Sequence, residues 1–170
     1  AMLLAYPGWL VAQAIRLPAI TDISTDLIDP PEFARSSRAL AARAQVFHDP
    51  IPQSAREAQR RAYHGVSPII LDLDADEAWQ IVQKAVAARK WRVVDQVTPG
   101  GRIGIGHIDA VDKTLLMGFP QDVTIRVRPL AGQTRIDIRS ASRFGRHDFG
   151  VNAQRIQRFA QELQTQLDAR

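Results

Sequence analysis

Residues 122 to 140 read DVTIRVRPLAGQTRIDIRS. Val123, Ile125 and Val127 alternate with Thr124, Arg126 and Arg128, and beyond the link LAGQ (130–133) Ile136 and Ile138 alternate with Arg135, Asp137 and Arg139. Period-two alternation on both sides of a glycine-containing link predicts two antiparallel strands, with the apolar side chains facing a core and the polar ones facing water. Upstream, WRVVDQV (91–97), RIGIGHIDAV (102–111) and KTLLMGF (113–119) repeat the strand pattern, with TPGG, VDK and FPQ read as the connecting turns. The whole reads as an antiparallel meander.

Helical spacing brackets the meander. In ADEAWQIVQKAVAARK (75–90), Ala78, Trp79, Val82, Ala85 and Val86 share a stripe, Asp74 is placed to cap the start, and Arg89 and Lys90 suit the C-terminal dipole. From about Asn152 a second stripe follows, formed by Ile156, Phe159, Ala160, Leu163 and Leu167. Laying both helices on the apolar sheet face gives an α+β fold: a two-layer sandwich whose antiparallel meander sheet has about four to five strands, with two amphipathic helices on one face. Ahead of it lies an irregular and partly helical strap. PAITDISTDLIDPPEF (18–33) favours turns and extended backbone, while EFARSSRALAARAQVF (32–47) and SAREAQRRAYH (54–64) have helical composition, with breaks at Pro50, Pro52 and Gly65.

The chain has 170 residues, enough for one domain with a real core, and its 45% apolar and 24% charged content is that of a folded protein. Its net charge of +4 is uneven: residues 124 to 158 hold eight arginines against Asp137 and Asp148, a local +6 that leaves the remainder at −2. Only three of the 22 basic residues are lysine, at 84, 90 and 113, so the bias toward arginine is general. Absence of cysteine excludes disulfides, thiolate metal sites and cysteine nucleophiles. Residues 1–17, AMLLAYPGWLVAQAIRL, form an apolar stub, too short and too interrupted to span a bilayer and lacking signal-peptide features. It is read as the remnant of a membrane anchor cut away ahead of one globular domain at 18–170, which is expected to be soluble as it stands.

Most candidate chemistry in the sequence fails on spacing. GRIGIGH (101–107) lacks the lysine and hydroxyl residue of a phosphate-binding loop and lies in a predicted strand, where its glycines would permit a bulge, a bend or close backbone approach. His107 and Asp109 share a strand face, with Asp112 as a conceivable third metal ligand, against the simpler reading of a surface pair. Ser140 and Ser142 near His147 and Asp148 lack a nucleophile elbow. His48, His64 and His147 match no zinc spacing, so no catalytic residue, metal or cofactor is assigned.

The richest stretch is RSASRFGRHDFGVNAQRI (139–156). Arg143 and Arg146 precede a helix start, so an anion could sit between guanidinium forks and free N–H groups. Arg139, Arg143, Arg146, His147, Arg126 and Arg128 are therefore the candidate anion- or partner-binding residues. The competing reading is a structural corner, in which Asp148 or Asn152 caps the helix, Gly145 and Gly150 allow the turn, and arginines pair with Asp122 or Asp137.

Together, ITDISTD followed by DPPEF, then QRRAY, GFPQDVTIRVRP and RIDIRSASRFGRHDFGVNAQRI resemble the DUF1499 family, over most of residues 18 to 162. Gln121, where the family often has a second acid beside Asp122, and YHGVSP (63–68), where an acidic turn is usual, depart from the pattern and leave no acid pair at Asp122. The resemblance implies a bacterial protein in which membrane-spanning segments often precede the domain, and it implies no established activity. The expectation is a non-catalytic envelope domain, the periplasmic part of an inner-membrane-anchored protein, that binds an anionic ligand or an envelope protein. The alternative is an enzyme acting on a phosphorylated or carboxylated envelope substrate through the Arg/His/Asp corner at 139–148. Nucleic acid is disfavoured because no aromatics interleave with the basic residues.

Overall fold

The computed structural model describes residues 8, 9, 12, 16–100, 104–113 and 118–170. In chain order these form β1 (Asp22–Ser24), α1 (Ser37–Ala42), α2 (Gln53–Ala62), β2 (Ile69–Leu71), α3 (Ala75–Ala88), β3 (Arg92–Val97), β4 (Gly106–Lys113), β5 (Pro120–Pro129), β6 (Thr134–Ser142) and α4 (Val151–Asp168). The strands make one antiparallel sheet in the order β1-β6-β5-β4-β3, with β2 also on β6. The α+β sandwich is as expected, with six strands among the described residues in place of four or five. The two unforeseen strands are three residues each, too short to show alternation. They share one edge of β6, β1 pairing at residues 139–141 and β2 at 134–136. Between them Thr25 N–H donates to the Ile138 carbonyl (3.0 Å), and the Thr25 hydroxyl accepts from Ile138 N–H (2.9 Å).

Register places Ile108, Ile125 and Ile138 in one row across the inner face, with Ala110 and Val123 in the next row and Val127 opposite Ile136 in the one beyond. All are buried under α3 and α4, whose Trp79, Val82, Ile156, Phe159 and Leu163 complete the core. Each such isoleucine contributes roughly 1.5–3 kcal/mol by leaving water. Asp74 caps α3 by accepting from Glu77 N–H (2.9 Å), as its sequence predicts. VDK is no turn: Val111–Lys113 continue β4. The KTLLMGF strand lies mostly outside the described residues, since 114–117 are not among them. Gly106 shows why glycine is needed there, because a Cβ would stand 2.6 Å from Pro99 Cδ and 2.7 Å from its nitrogen.

The opposite sheet face is not wet. Asp109, Asp122, Thr124, Asp137 and Arg139 are buried on it, covered by residues 26–51 of the strap. The strap is held at its start by Gln59 of α2. That side chain accepts from Ser24 N–H (3.1 Å) and donates to the Ser24 carbonyl (2.7 Å), doing for the free edge of β1 what a further strand would do. Gln59→Leu keeps the bulk but leaves both Ser24 groups unpaired in a buried site, and is expected to cost about 1–3 kcal/mol. Urea unfolding measures this; a loss under about 0.5 kcal/mol would mean the amide does not hold β1.

Candidate functional site: the strap cleft and the arginine lattice

Arginine supplies most of the polarity on the covered face, and the strap supplies most of the counter-charge. Arg139 grips Asp22 with two bonds, Nε to Oδ1 (2.9 Å) and Nη2 to Oδ2 (2.6 Å), and donates to the carbonyls of Pro31 and Asp49. Arg126 reaches Asp26 (3.1 Å), Asp29 (3.3 Å) and Asp137 (3.4 Å), while Arg135 reaches Asp137 (2.7 Å) and Asp26 (3.0 Å). Arg43 of the strap returns the favour, donating to Asp109 (3.2 Å) and to the Ala34 carbonyl; Asp109 also accepts from Ala34 N–H (2.6 Å) and the Thr124 hydroxyl (2.7 Å). Burial pushes the Asp109 carboxyl up despite the hydrogen bonds from Thr124 and Ala34 and the nearby His107 and Arg43. For Asp26 burial again acts upward, but N–H donors from Asp29 and Ile28 and the charges of Arg135 and Arg126 outweigh it and hold the carboxyl below its ordinary value.

Where the strap lifts off this lattice it leaves a half-open cleft of about 480 Å³, within the range of small-molecule sites. Phe33 lines it, its ring 5.0 Å from the Arg139 guanidinium, 5.5 Å from that of Arg43 and 4.5 Å from the His48 ring. His48 Nε2 is 2.7 Å from Asp122 Oδ2, and Arg143 grips the same carboxylate through Nε (3.1 Å) and Nη2 (2.9 Å). Arg35 and Arg56 also line the cleft, with Phe47 and Ile28 exposed beside them. Arg56 donates only to carbonyls, those of Ile51, Leu27 and Ile28, and buried Arg43 keeps an Nε without a partner. None of Phe33, Arg35, Arg43, His48 and Arg56 was assigned a role from the sequence; Phe33, Arg43 and His48 meet Arg139, Asp109 and Asp122, which are far away along the chain, and Arg56 meets the carbonyls of Leu27 and Ile28.

The 139–148 corner is built from two glycine turns, a buried carboxylate and an ion pair. Gly145 and Gly150 take positive φ of 91° and 78°, which favours glycine. Asp148 accepts from Gly150 N–H (2.9 Å), Asn152 N–H (3.3 Å) and the Asn152 side-chain amide (3.0 Å), so it caps α4 from two residues ahead of that helix's Gly150 N-cap. Arg143 pairs with Asp122. Of the candidate anion-binding residues, Arg126, Arg139 and Arg143 are thus engaged internally, Arg128 lies 3.5 Å from Asp29, His147 accepts from Phe149 N–H and meets the Leu17 carbonyl, and Arg146 alone stands exposed without a described ion-pair partner. Ser140 is bonded to Asn152 and Arg155, not to a base. The His107–Asp109–Asp112 set does not assemble, since Asp112 falls on the opposite strand face, against Arg155 (2.7 Å), and Asp109 is a buried partner of Arg43, not half of a surface pair. No metal-holding cluster occurs among the described residues.

The family model for proteins of unknown function designated DUF1499 matches residues 22–163. The chain belongs to the DUF1499 family. The matched span opens on the first residue of β1, Asp22, which is also the lattice partner of Arg139, and closes on Leu163, the last buried residue of α4. The DUF1499 unit therefore contains the sheet, the strap that covers it and the cleft between them. No curated protein matches the chain.

Two measurements probe the lattice and the corner. A carboxyl held low in the folded state stabilises above its unfolded value, about 3.9, and that contribution is lost as pH falls through the lower folded value. Asp26→Asn is accordingly expected to cost about 1–3 kcal/mol at pH 7, with the gap to wild type shrinking below about pH 4 in urea titrations run at several pH values. Asp148→Asn puts an NH₂ group where two donors from Asn152 converge, and should cost about 1–3 kcal/mol by thermal melting, equally with and without phosphate. An unchanged melting temperature with a larger phosphate-induced rise would instead make the corner arginines an anion site.

Proposed function

We propose that this DUF1499 domain is a non-catalytic binding domain of the bacterial cell envelope, tethered to the inner membrane through a longer N-terminus, facing the periplasm, and taking a compact anionic ligand or an envelope protein partner in the strap cleft. The carrying observation is the cleft itself, with Arg35, Arg56 and the unpartnered Nε of Arg43 on its wall. Asp29, Glu32 and Asp49 share that wall, which selects against a polyanion and favours one small anionic group flanked by the apolar Phe47 and Ile28. The envelope reading draws on the apolar run at residues 1–17. Among the described residues no helix is long and apolar enough to cross a membrane. The alternative, an enzyme using the 139–148 corner, needs His147 and Asp148 facing a cleft, whereas both serve the turn into α4.

Two experiments test the two halves. Alkaline-phosphatase and fluorescent-protein fusions to the full-length protein should report a periplasmic domain; a cytoplasmic result removes the envelope half. Calorimetric titration with inorganic phosphate and with acetate should give saturable binding, weakened about tenfold by Arg35→Glu with unchanged melting temperature, as expected when roughly 1.4 kcal/mol of charge attraction is lost. Binding unaffected by the substitution would remove the cleft.

A further inference from the structure

The lattice uses up most of the arginine charge. Of the eight arginines between 124 and 158, Arg126, Arg128, Arg135, Arg139, Arg143 and Arg155 lie against carboxylates. Among the arginines without a carboxylate partner in the described residues, four belong to the end of the molecule where the strap begins. Three contacts bring that end together. His147 Nε2 lies 3.2 Å from the Leu17 carbonyl, joining the strap's start to the corner. A Cβ at Gly150 would lie 3.0 Å from Leu17 Cδ1 and 3.6 Å from the Tyr63 hydroxyl, which brings in the C-terminus of α2. Asp148 N–H donates to the Ile20 carbonyl (3.2 Å), closing the group. Arg16 adjoins Leu17, Arg146 adjoins His147, and Arg60 and Arg61 occupy the turn of α2 before Tyr63. All four are exposed and, among the described residues, have no carboxylate partner. The corner's own carboxylate, Asp148, is buried and turned inward onto Gly150 and Asn152.

Beside Arg146, Phe144 projects with 72% of its surface exposed, although the residue before it is locked to Asp122 by a nearly buried ion pair. An aromatic ring held out on a rigid corner two residues from an unpaired arginine, at an end that also carries Arg16, Arg60 and Arg61, matches the interface of a bilayer, where the ring enters the headgroup layer and guanidinium groups meet lipid phosphates. We propose that this end, formed by Arg16, Arg60, Arg61, Arg146 and Phe144, is a docking face for an anionic phospholipid surface. It lies beside Leu17, where the strap meets the corner. Single-stranded nucleic acid fits less well, because stacking platforms need several aromatics interleaved with the charge and Phe144 is isolated. The inference goes beyond the cleft reading and does not use the cleft; it shares only the membrane with it.

The test is vesicle co-sedimentation of the 170-residue chain, using phosphatidylglycerol–phosphatidylcholine mixtures and pure phosphatidylcholine. Because every variant keeps the same N-terminus, differences report the docking face. Wild type should bind the anionic vesicles more tightly, and the preference should fall with salt. Neutralising an arginine should weaken binding about fivefold, so Arg146→Gln loses about fivefold and Arg60→Gln/Arg61→Gln/Arg146→Gln about a hundredfold, from roughly 1 kcal/mol per basic residue near the surface. Phe144→Ser should lose the salt-resistant part of binding, with melting temperatures unchanged in all variants. Equal binding to neutral vesicles, variants that bind like wild type, or tighter salt-sensitive binding to single-stranded DNA than to anionic vesicles would each overturn the proposal. None of these outcomes bears on anion binding in the cleft, whose failure is read separately by calorimetry with phosphate.

Discussion

The ion pair between Arg139 and Asp22 is the constraint on which the rest of the architecture turns. Arg139 stands in the middle of a sheet face and is 4% exposed, and an uncompensated guanidinium there would cost several kcal/mol. Its partner comes from β1, which can reach it only by pairing along the edge of β6. That pairing commits the following residues to run back across the face, where Asp26 and Asp29 meet Arg126 and Arg135 in turn. A polar sheet face thereby acquires a cover without becoming apolar. Such a lattice adds little net stability compared with hydrophobic packing, but every mispaired register leaves a buried charge alone, so it determines where the strap lies.

The same logic produces the cleft. A strap fixed at discrete charged contacts, not by continuous apolar packing, follows the sheet only where a partner exists. Between the contacts of Arg139 with Pro31 and Asp49, Phe33 serves as a platform for two guanidinium groups and the His48 ring. Asp122 ties this region to the 139–148 corner, since its carboxylate takes His48 from the strap and Arg143 from the corner. A ligand that displaced His48 would therefore be felt at Arg143, next to Phe144.

Edge protection also comes from side chains. β1 is only three residues long, yet its outer edge is closed by the Gln59 amide, which ties α2 to the sheet. At the far edge, β3 carries a register irregularity between Val93 and Asp95, and Asp95 accepts a hydrogen bond from the Ser36 hydroxyl at the start of α1 (2.7 Å). A bulge and a strap contact both discourage pairing with another chain.

Periodicity by itself determined the inner architecture. The alternation at 122–140 and the stripes in α3 and α4 placed Ile125, Ile138, Trp79 and Phe159 in the core, because each strand or helix must bury its apolar side whatever its neighbours are. Local geometry was equally legible at the corner, where Gly145, Asp148, Gly150 and Asn152 act within a few residues of one another. Exposure of the polar sheet face was not legible. Alternation reports which side chains are polar, and a polar residue is wet only if nothing of opposite charge covers it; Asp22 and Asp26, the strap aspartates that cover Arg126, Arg135 and Arg139, stand about a hundred positions earlier. The strand nature of Asp22–Ser24, the pairing of His48 with Asp122 and the cleft around Phe33 share that dependence on distant partners. Tertiary structure decided them, since the electrostatic cost of a buried charge is settled by what meets it in space.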